Sequence, residues 1–146
     1  MPSDTFPDTL RHTLTHLSCQ TGTIHRTTPD GQHLELVCQT GVPDFLLERI
    51  SYIPFGKGIA GVAASSGEPV ELCNLQEDLG GVAKSAARQT GVSGSIAVPV
   101  FSETSGAVIG TLGVGMQAPH DFTAEEKDFL ADTARKIARG LENPAG

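Results

Sequence analysis

The chain has 146 residues, of which 38% are hydrophobic and 18% charged, a composition typical of one globular domain. Its 17 acidic and 10 basic residues give a formal net charge of -7, which disfavours nucleic acid or anionic lipid as a partner. Because no apolar run reaches the roughly 18 residues of a membrane span and the N-terminus lacks the features of a signal peptide, we expect a cytoplasmic protein with no membrane partner.

The first half of the chain predicts a helix, a β-hairpin and two short helices. Apolar residues recur at helical spacing from Phe6 to Leu17. The Pro-Asp-Gly sequence at residues 29–31 is a strong turn signal between two stretches rich in β-forming residues. The predicted elements are a helix at 6–17, strands at 20–27 and 33–40, and short helices at 43–50 and 59–65.

The second half predicts three strands, a loosely packed helix and a long terminal helix. The short connection at residues 103–106 implies that the two strands beside it are antiparallel. Thr123 and Glu126 form a capping box at the start of the last helix. The predicted strands are at 70–74, 95–102 and 107–117, and the helices at 80–89 and 123–141. This order implies one α+β domain over residues 1–146, built around an antiparallel sheet.

The two late strands carry small side chains on one face and branched apolar ones on the other. The small face has Ser95, Ala97, Pro99, Thr111, Gly113 and Gly115, and the apolar face has Ile96, Val98, Val100, Leu112, Val114 and Met116. If the apolar face packs on the terminal helices, the small face can line a binding cavity. The alternative is that its glycines only allow a helix to pack closely.

Five segments together give the chain the pattern of a known family. They are residues 53–61 (IPFGKGIAG), 68–70 (EPV), 95–100 (SIAVPV), 109–114 (IGTLGV) and 122–126 (FTAEE). With them the chain, from about residue 10 to residue 141, resembles a GAF domain, a small-molecule sensory module. The resemblance implies a six-stranded antiparallel sheet with the first and last helices on one face and a ligand pocket under short inserted helices on the other.

Strand alternation and this resemblance together predict the ligand contacts, while leaving the ligand and any cofactor unspecified. Placement by the family also favours Arg26, rather than its neighbour His25, on the pocket side. Lys84 and Arg88 are candidates for binding a carboxylate or phosphate. The predicted ligand-binding residues are Gln20, Ile24, Cys73, Asn74, Arg88, Ser95, Ala97, Thr111 and Gly113.

The glycine-rich segment also matches a nucleotide-binding motif. Residues 56–61 fit G-x-G-x-x-G, and Asp78 follows at about the spacing found in dinucleotide-binding domains. However, a parallel crossover needs a dozen or more residues, and only eight separate Gly61 from Val70. We therefore interpret these glycines as turns leading into a helix that covers the pocket, whose N-terminal amides could still receive an anion.

The three cysteines, Cys19, Cys38 and Cys73, are odd in number, far apart and not in any Cys-x-x-Cys pair, which argues against a disulfide framework or a structural zinc site. His12, His16 and Cys19 have a spacing that would allow one metal ion, but without a fourth ligand we interpret the histidines as surface residues and predict no metal site. Alternation along the second predicted strand places Cys38 on the same face as Leu34 and Leu36, and Cys38 and Cys73 are interpreted as small buried hydrophobes. The alternative for Cys73 is a redox or cofactor-attachment role, although bilin-carrying relatives usually have histidine where Asn74 follows it.

Catalytic members of the family, the free methionine-(R)-sulfoxide reductases, have a cysteine at the position of Ala60. They also have acids at the positions of Ser95, Gly113 and Gly115, and this chain has none of these groups. Without a thiolate and a proton donor at those positions, the resemblance implies a non-catalytic protein. Cyclic-nucleotide-binding relatives carry a set of Asn-Lys, Phe and Asp-Glu residues, and this set is not found intact in the chain either.

The sequence therefore predicts a regulatory module that binds a small molecule and signals through its terminal helices to a partner or, as a homodimer, to a twin subunit. One alternative is a dimerisation or protein-interaction module whose pocket is vestigial. A thiol-dependent redox enzyme that uses Cys73 is a third hypothesis.

Overall fold

A computed structural model describes residues 5–42, 44–72, 94–116 and 122–142. Within these residues the strands are β1 (Thr21–Thr27), β2 (His33–Thr40), β3 (Tyr52–Pro54), β4 (Val70–Leu72), β5 (Gly94–Phe101) and β6 (Val108–Met116), and the helices are α1 (Thr5–Leu17), α2 (Asp44–Ile50), α3 (Gly58–Ser66) and α4 (Ala124–Glu142). The six strands form one sheet in the order β3-β2-β1-β6-β5-β4, and every neighbouring pair is antiparallel. The predicted α+β class and antiparallel sheet are confirmed.

The predicted elements agree with the structure to within one or two residues at most boundaries. Strand β3 was not predicted from the residues, because three residues are too few to show alternation. It nevertheless forms the edge of the sheet, where it pairs with β2. The helix predicted at 80–89 lies outside the described residues.

One face of the sheet, the helix face, packs against α1 and α4. The apolar stripes of both helices meet the branched side chains of β5 and β6 there, which confirms the predicted arrangement. The capping box at the start of α4 is formed: the Thr123 N–H donates to Glu126 Oε1 at 2.8 Å, and the Glu126 N–H donates to Thr123 Oγ1 at 3.1 Å. The buried core of this face includes Leu10, Leu14, Leu17, Ile24, Ile96, Val98, Val100, Leu112, Val114, Leu130 and Ile137.

Glycines on the helix face allow the terminal helices to approach the sheet. A Cβ atom at Gly22 would lie 2.8 Å from side-chain atoms of Leu10 and Leu14, and one at Gly110 would lie 3.0 Å from Leu141 Cδ1. Gly22 therefore gives room to α1, and Gly110 gives room both to Leu141 of α4 and to the His25 carbonyl oxygen of β1, which lies 2.3 Å from its Cβ position. Gly113, whose strand position places its missing side chain on the other face, does not serve this purpose.

The opposite face, which we call the inner face, is covered in part by α3, which contacts β5 and β6. The chain turns into α3 through Gly56 and Gly58, whose φ angles of 90° and 64° favour glycine. A Cβ at Gly61 would lie 2.6 Å from the Pro54 carbonyl oxygen. The three glycines of the G-x-G-x-x-G match therefore serve the turn and the packing of α3.

The strands before and after α3 also exclude a dinucleotide-binding unit. Such a unit joins two parallel strands through its helix. Here β3 and β4 lie at opposite edges of an antiparallel sheet.

None of the helices in the described ranges has the length and apolar character needed to cross a membrane.

Candidate functional site: the inner face of the sheet

The inner face brings together the small residues predicted from β5 and β6. Gly113 lies between Ala97 on β5 and Thr23 on β1, and Thr111 lies beside His25 of β1. Ala97 and Thr111 are almost completely buried, and Ser95 is 8% exposed. Four of the predicted ligand-binding residues, Ser95, Ala97, Thr111 and Gly113, are therefore neighbours on the face opposite the terminal helices.

Two of these four positions are already in contact with polar neighbours. The Ser95 hydroxyl donates to the Val114 carbonyl oxygen at 3.4 Å. A Cβ at Gly113 would lie 3.1 Å from Thr23 Oγ1, so the threonine side chain occupies part of the space beside the glycine. The Thr23 hydroxyl group therefore borders the inner face beside Gly113.

His25 is the inner-face residue that the sequence interpretation assigned to the wrong side. It is 1% exposed, and its Nε2 lies 2.8 Å from the Ile50 carbonyl oxygen at the end of α2. Burial lowers the pKa of His25, and the hydrogen bond to Ile50 offsets part of this change. The side chain is therefore a neutral imidazole at pH 7, with its Nε2–H donating to Ile50.

The expected pocket positions of Ile24 and Arg26 are corrected by the structure. Ile24 is fully buried in the core of the helix face. Arg26 shares that face and has its Nε 3.3 Å from Glu35 Oε1, in an exposed ion pair. The placement was wrong by one residue, and because side chains alternate along a strand, a shift of one residue moves every side chain to the other face.

The remaining predicted contacts have less support in the described geometry. Gln20 is an exposed residue just before β1; its N–H donates to the Gly115 carbonyl oxygen and its side chain donates to the Ser18 carbonyl oxygen. Cys73, Asn74, Lys84 and Arg88 lie outside the described residues.

Cys19 and His16 are used in packing, whereas His12 is exposed. Cys19 belongs to the helix-face core, and burial, with a smaller contribution from the charge of Glu126, raises its pKa to about 12. The His16 ring stacks on Phe129 of α4 with the ring centres 4.0 Å apart. In the part of the chain that the structure describes, no cluster of three His, Cys, Asp or Glu side chains could hold a metal ion.

A β-bulge in β2 corrects the expected position of Cys38. Cys38 pairs with Ile24 while Leu36 pairs with His25, so Val37 is an extra residue between them. Cys38 consequently packs against the helix-face core and does not share a face with Leu36. Burial raises the pKa of Cys38 to about 11, so this thiol, like Cys19, is protonated and a weak nucleophile at pH 7.

An open groove of about 530 Å³ lies at the other edge of the sheet, along β2 and β3. Tyr52, beside it, is 51% exposed and stacks on the His33 ring with the ring centres 4.5 Å apart. This groove is not the cavity predicted above Ser95 and Gly113. Its lining residues are Arg26, Glu35, Leu36, Val37, Ser51 and Tyr52.

A six-stranded antiparallel sheet with terminal helices on one face and a short helix on the other defines a class of small α+β domains. A family model described as GAF domain matches residues 2–142, and the chain belongs to this family, whose members are commonly ligand-binding sensory modules. The resemblance inferred from the sequence is confirmed.

Solved structures support the same fold. The GAF domain of an Acinetobacter phosphoenolpyruvate-protein phosphotransferase is 17% identical, with a TM-score of 0.78, over 97% of this chain and 82% of that one. Free methionine-R-sulfoxide reductase of Neisseria meningitidis, in complex with its substrate, is 19% identical, with a TM-score of 0.77, over 97% and 78%. A GAF domain of Synechocystis in its photoproduct state is 18% identical, with a TM-score of 0.76, over 99% and 95%. No curated protein sequence matches the chain significantly.

The burial of His25 predicts how stability depends on pH. Because its pKa in the folded chain is below its ordinary value of 6.5, the folded state binds fewer protons than the unfolded state. The contribution of His25 is therefore complete above about pH 6.5 and is lost as the pH falls towards the lowered pKa. We expect the free energy of unfolding, measured with urea, to decrease between pH 7 and pH 5.

Matched variants isolate this effect. His25→Gln retains a donor for the Ile50 carbonyl and should flatten the pH dependence, whereas His12→Gln, on the exposed side of α1, should leave it unchanged. The pKa values of Asp30 and Glu142 are lowered by hydrogen bonds, and the stability linked to these carboxylates is lost at more acidic pH. An equal slope in wild type and His25→Gln would contradict the assignment.

Proposed function

We propose that the chain is a non-catalytic sensory module that binds a small molecule on the inner face of its sheet and passes the binding event to its terminal helices. The observation that carries the proposal is the grouping of Ser95, Ala97, Thr111 and Gly113 opposite the helix face. Membership of the GAF family supports a sensory role. Strands β5 and β6 have one face towards α3 and the other towards α4, which supports transmission of a change from the inner face to the terminal helix.

The C-terminal end of α4 is joined to the hairpin that carries the site. The Glu142 carboxylate accepts hydrogen bonds from the Ser102 hydroxyl, from the Glu103 N–H at 3.0 Å and from the Thr104 hydroxyl at 3.2 Å. Arg139 Nε lies 3.3 Å from Glu103 Oε2. These contacts connect the β5–β6 turn to the last turn of α4 and support transmission from the sheet to that helix.

The proposal of a non-catalytic role rests on the chemistry of the residues. The methionine sulfoxide reductases among the similar structures share the fold. In this chain Ala60 stands where the resemblance would place a cysteine, and burial keeps the thiols of Cys19 and Cys38 protonated.

We further propose that the protein is cytoplasmic and forms a homodimer through α1 and α4, so that a ligand on one subunit can affect its twin.

The proposed binding is tested by native mass spectrometry of gently purified protein and by thermal unfolding with cyclic nucleotides, haem, amino acids and methionine sulfoxide. We expect a retained small molecule or a rise in melting temperature. A ligand at 100 times its Kd stabilises by about 2.7 kcal/mol, which corresponds to a shift of several degrees for a chain of this length.

A pair of variants tests the location of the ligand. Ala97→Val adds two methyl groups to the inner face, and Ala131→Val adds the same atoms at an exposed position of α4. Ala97→Val should reduce the ligand-induced shift, measured from the variant's own melting temperature, by at least about half, while Ala131→Val should not. Wild-type protein that neither retains a molecule nor responds to any compound would contradict the proposal and favour a protein-interaction module.

A further inference from the structure

Two buried polar atoms on the inner face lack hydrogen-bond partners among the described residues: Nδ1 of His25 and Oγ1 of Thr111. Their residues are directly opposite each other on β1 and β6, and both are at most 1% exposed. We call these two atoms the open polar pair. A buried polar group left without a hydrogen bond costs about 1–3 kcal/mol, so each atom favours any partner that can satisfy it.

The hydrogen bond of His25 to the end of α2 determines what its other nitrogen can do. Nε2 lies 2.8 Å from the Ile50 carbonyl oxygen, which can only accept, so Nε2 must carry the proton. In the neutral imidazole the remaining nitrogen is then an acceptor. Nδ1 of His25 therefore requires a donor from its partner.

Thr111 supplies the complementary half of the open polar pair. Its hydroxyl can donate one hydrogen bond and accept others. Side chains directly opposite on antiparallel strands have Cβ atoms about 4.5–5.5 Å apart, so one small polar group can reach both residues. That group must contain an N–H or O–H for His25 and can use a second polar atom for Thr111.

We propose that the inner face binds an uncharged hydrogen-bonding group, a hydroxyl or a primary carboxamide, that donates to Nδ1 of His25 and shares a hydrogen bond with the Thr111 hydroxyl. This inference rests on the proposed function and specifies the ligand chemistry of the same site. A carboxylate is selected against because it has no proton to donate to the imidazole nitrogen and would be buried beside a neutral ring. The ligand end that enters between β1 and β6 is therefore neutral.

The test uses three pairs of probes that differ in this group: acetamide and acetate, benzamide and benzoate, and nicotinamide and nicotinate. Protein with ¹⁵N-labelled histidine reports the state of the His25 ring nitrogens by NMR. We expect a carboxamide to shift the Nδ1 resonance of His25 in a saturable manner, and its carboxylate partner to leave that resonance in place. Since both atoms are covered in the folded chain, association should be slower than free diffusion allows.

Isosteric variants identify the second contact. Thr111→Val removes the hydroxyl while retaining the shape, and we expect it to weaken carboxamide binding about five- to tenfold. Thr13→Val is the matched control, because Thr13 is also buried but lies on α1, where its hydroxyl donates to the Thr9 carbonyl. It should leave the affinity unchanged.

The outcomes separate this inference from the proposed function. Carboxylates that bind as tightly as carboxamides, an unmoved Nδ1 resonance on saturation, or equal affinities in wild type and Thr111→Val would each overturn the inference. If the protein retains a molecule or responds in the thermal assay, the proposed function stands even when one of these results is obtained. If no probe binds, the inference is overturned, and the proposed function is decided by the retained-molecule experiment alone.

Discussion

Replacing Gly110 by alanine is expected to lower the free energy of unfolding by about 3 kcal/mol. The new Cβ would lie 2.3 Å from the His25 carbonyl oxygen and 3.0 Å from Leu141 Cδ1. The first of these atoms belongs to the backbone of β1, so rotation of a side chain cannot relieve the overlap. Strands β1 and β6 must therefore separate, whereas Leu141 can shift its side chain. Urea unfolding followed by circular dichroism measures the change, which corresponds to roughly 10 °C in melting temperature.

Gly113→Ala is the matched control, because it makes the same change on the same strand but on the inner face. Its Cβ would meet the Thr23 hydroxyl at 3.1 Å, and that side chain can shift by a few tenths of an ångström. We expect a cost below about 1 kcal/mol. Equal costs for the two variants would contradict the assignment of the two faces of β6, on which the proposed site depends.

Leu112→Ala is expected to destabilise the protein by about 3–4 kcal/mol, because it leaves a cavity between the sheet and the terminal helices. Leu112 is fully buried in the helix-face core and lies between Ile24 on β1 and Val98 on β5. These cross-strand neighbours lie on two other central strands, so they cannot collapse into the space without distorting the sheet. Urea unfolding at pH 7 measures the loss.

Phe101→Ala is the control for this prediction, since Phe101 ends β5 and is 44% exposed. It removes a larger side chain but should cost less than about 1 kcal/mol. A cost for Leu112→Ala no greater than that for Phe101→Ala would show that the helix face is not the main core of the domain.

Some parts of the fold follow from local sequence patterns. The capping box of Thr123 and Glu126 sets the start of α4 through contacts three residues apart, and the alternation from Ser95 to Val100 defines the two faces of β5. The strands of the β5–β6 hairpin are joined by a short turn, so their antiparallel pairing was also predictable. In each case the interacting residues are close in sequence.

The faces of β5 and β6 were predicted correctly because alternation alone was sufficient there, and the faces of Ile24 and Arg26 were predicted incorrectly because an absolute face had to be chosen. Alternation shows that His25 and Arg26 point in opposite directions, but both residues are polar, and neither pattern nor composition reveals which one is buried. The contact that holds His25 inside comes from the Ile50 carbonyl, 25 residues away. The bulge at Val37 is likewise determined by pairing between β1 and β2.

The sequence by itself determined the class of the domain, the polarity of its strands and the removal of bulk from one face of β5 and β6. These properties arise from short-range periodicity and from turn and cap residues, whose energetics are local. Only the tertiary structure decided that Ile24 belongs to the core and that His25 and Thr111 are opposite each other on the inner face. Those relationships depend on the register between strands distant in the chain, and register is fixed by the packing of the whole sheet against its helices.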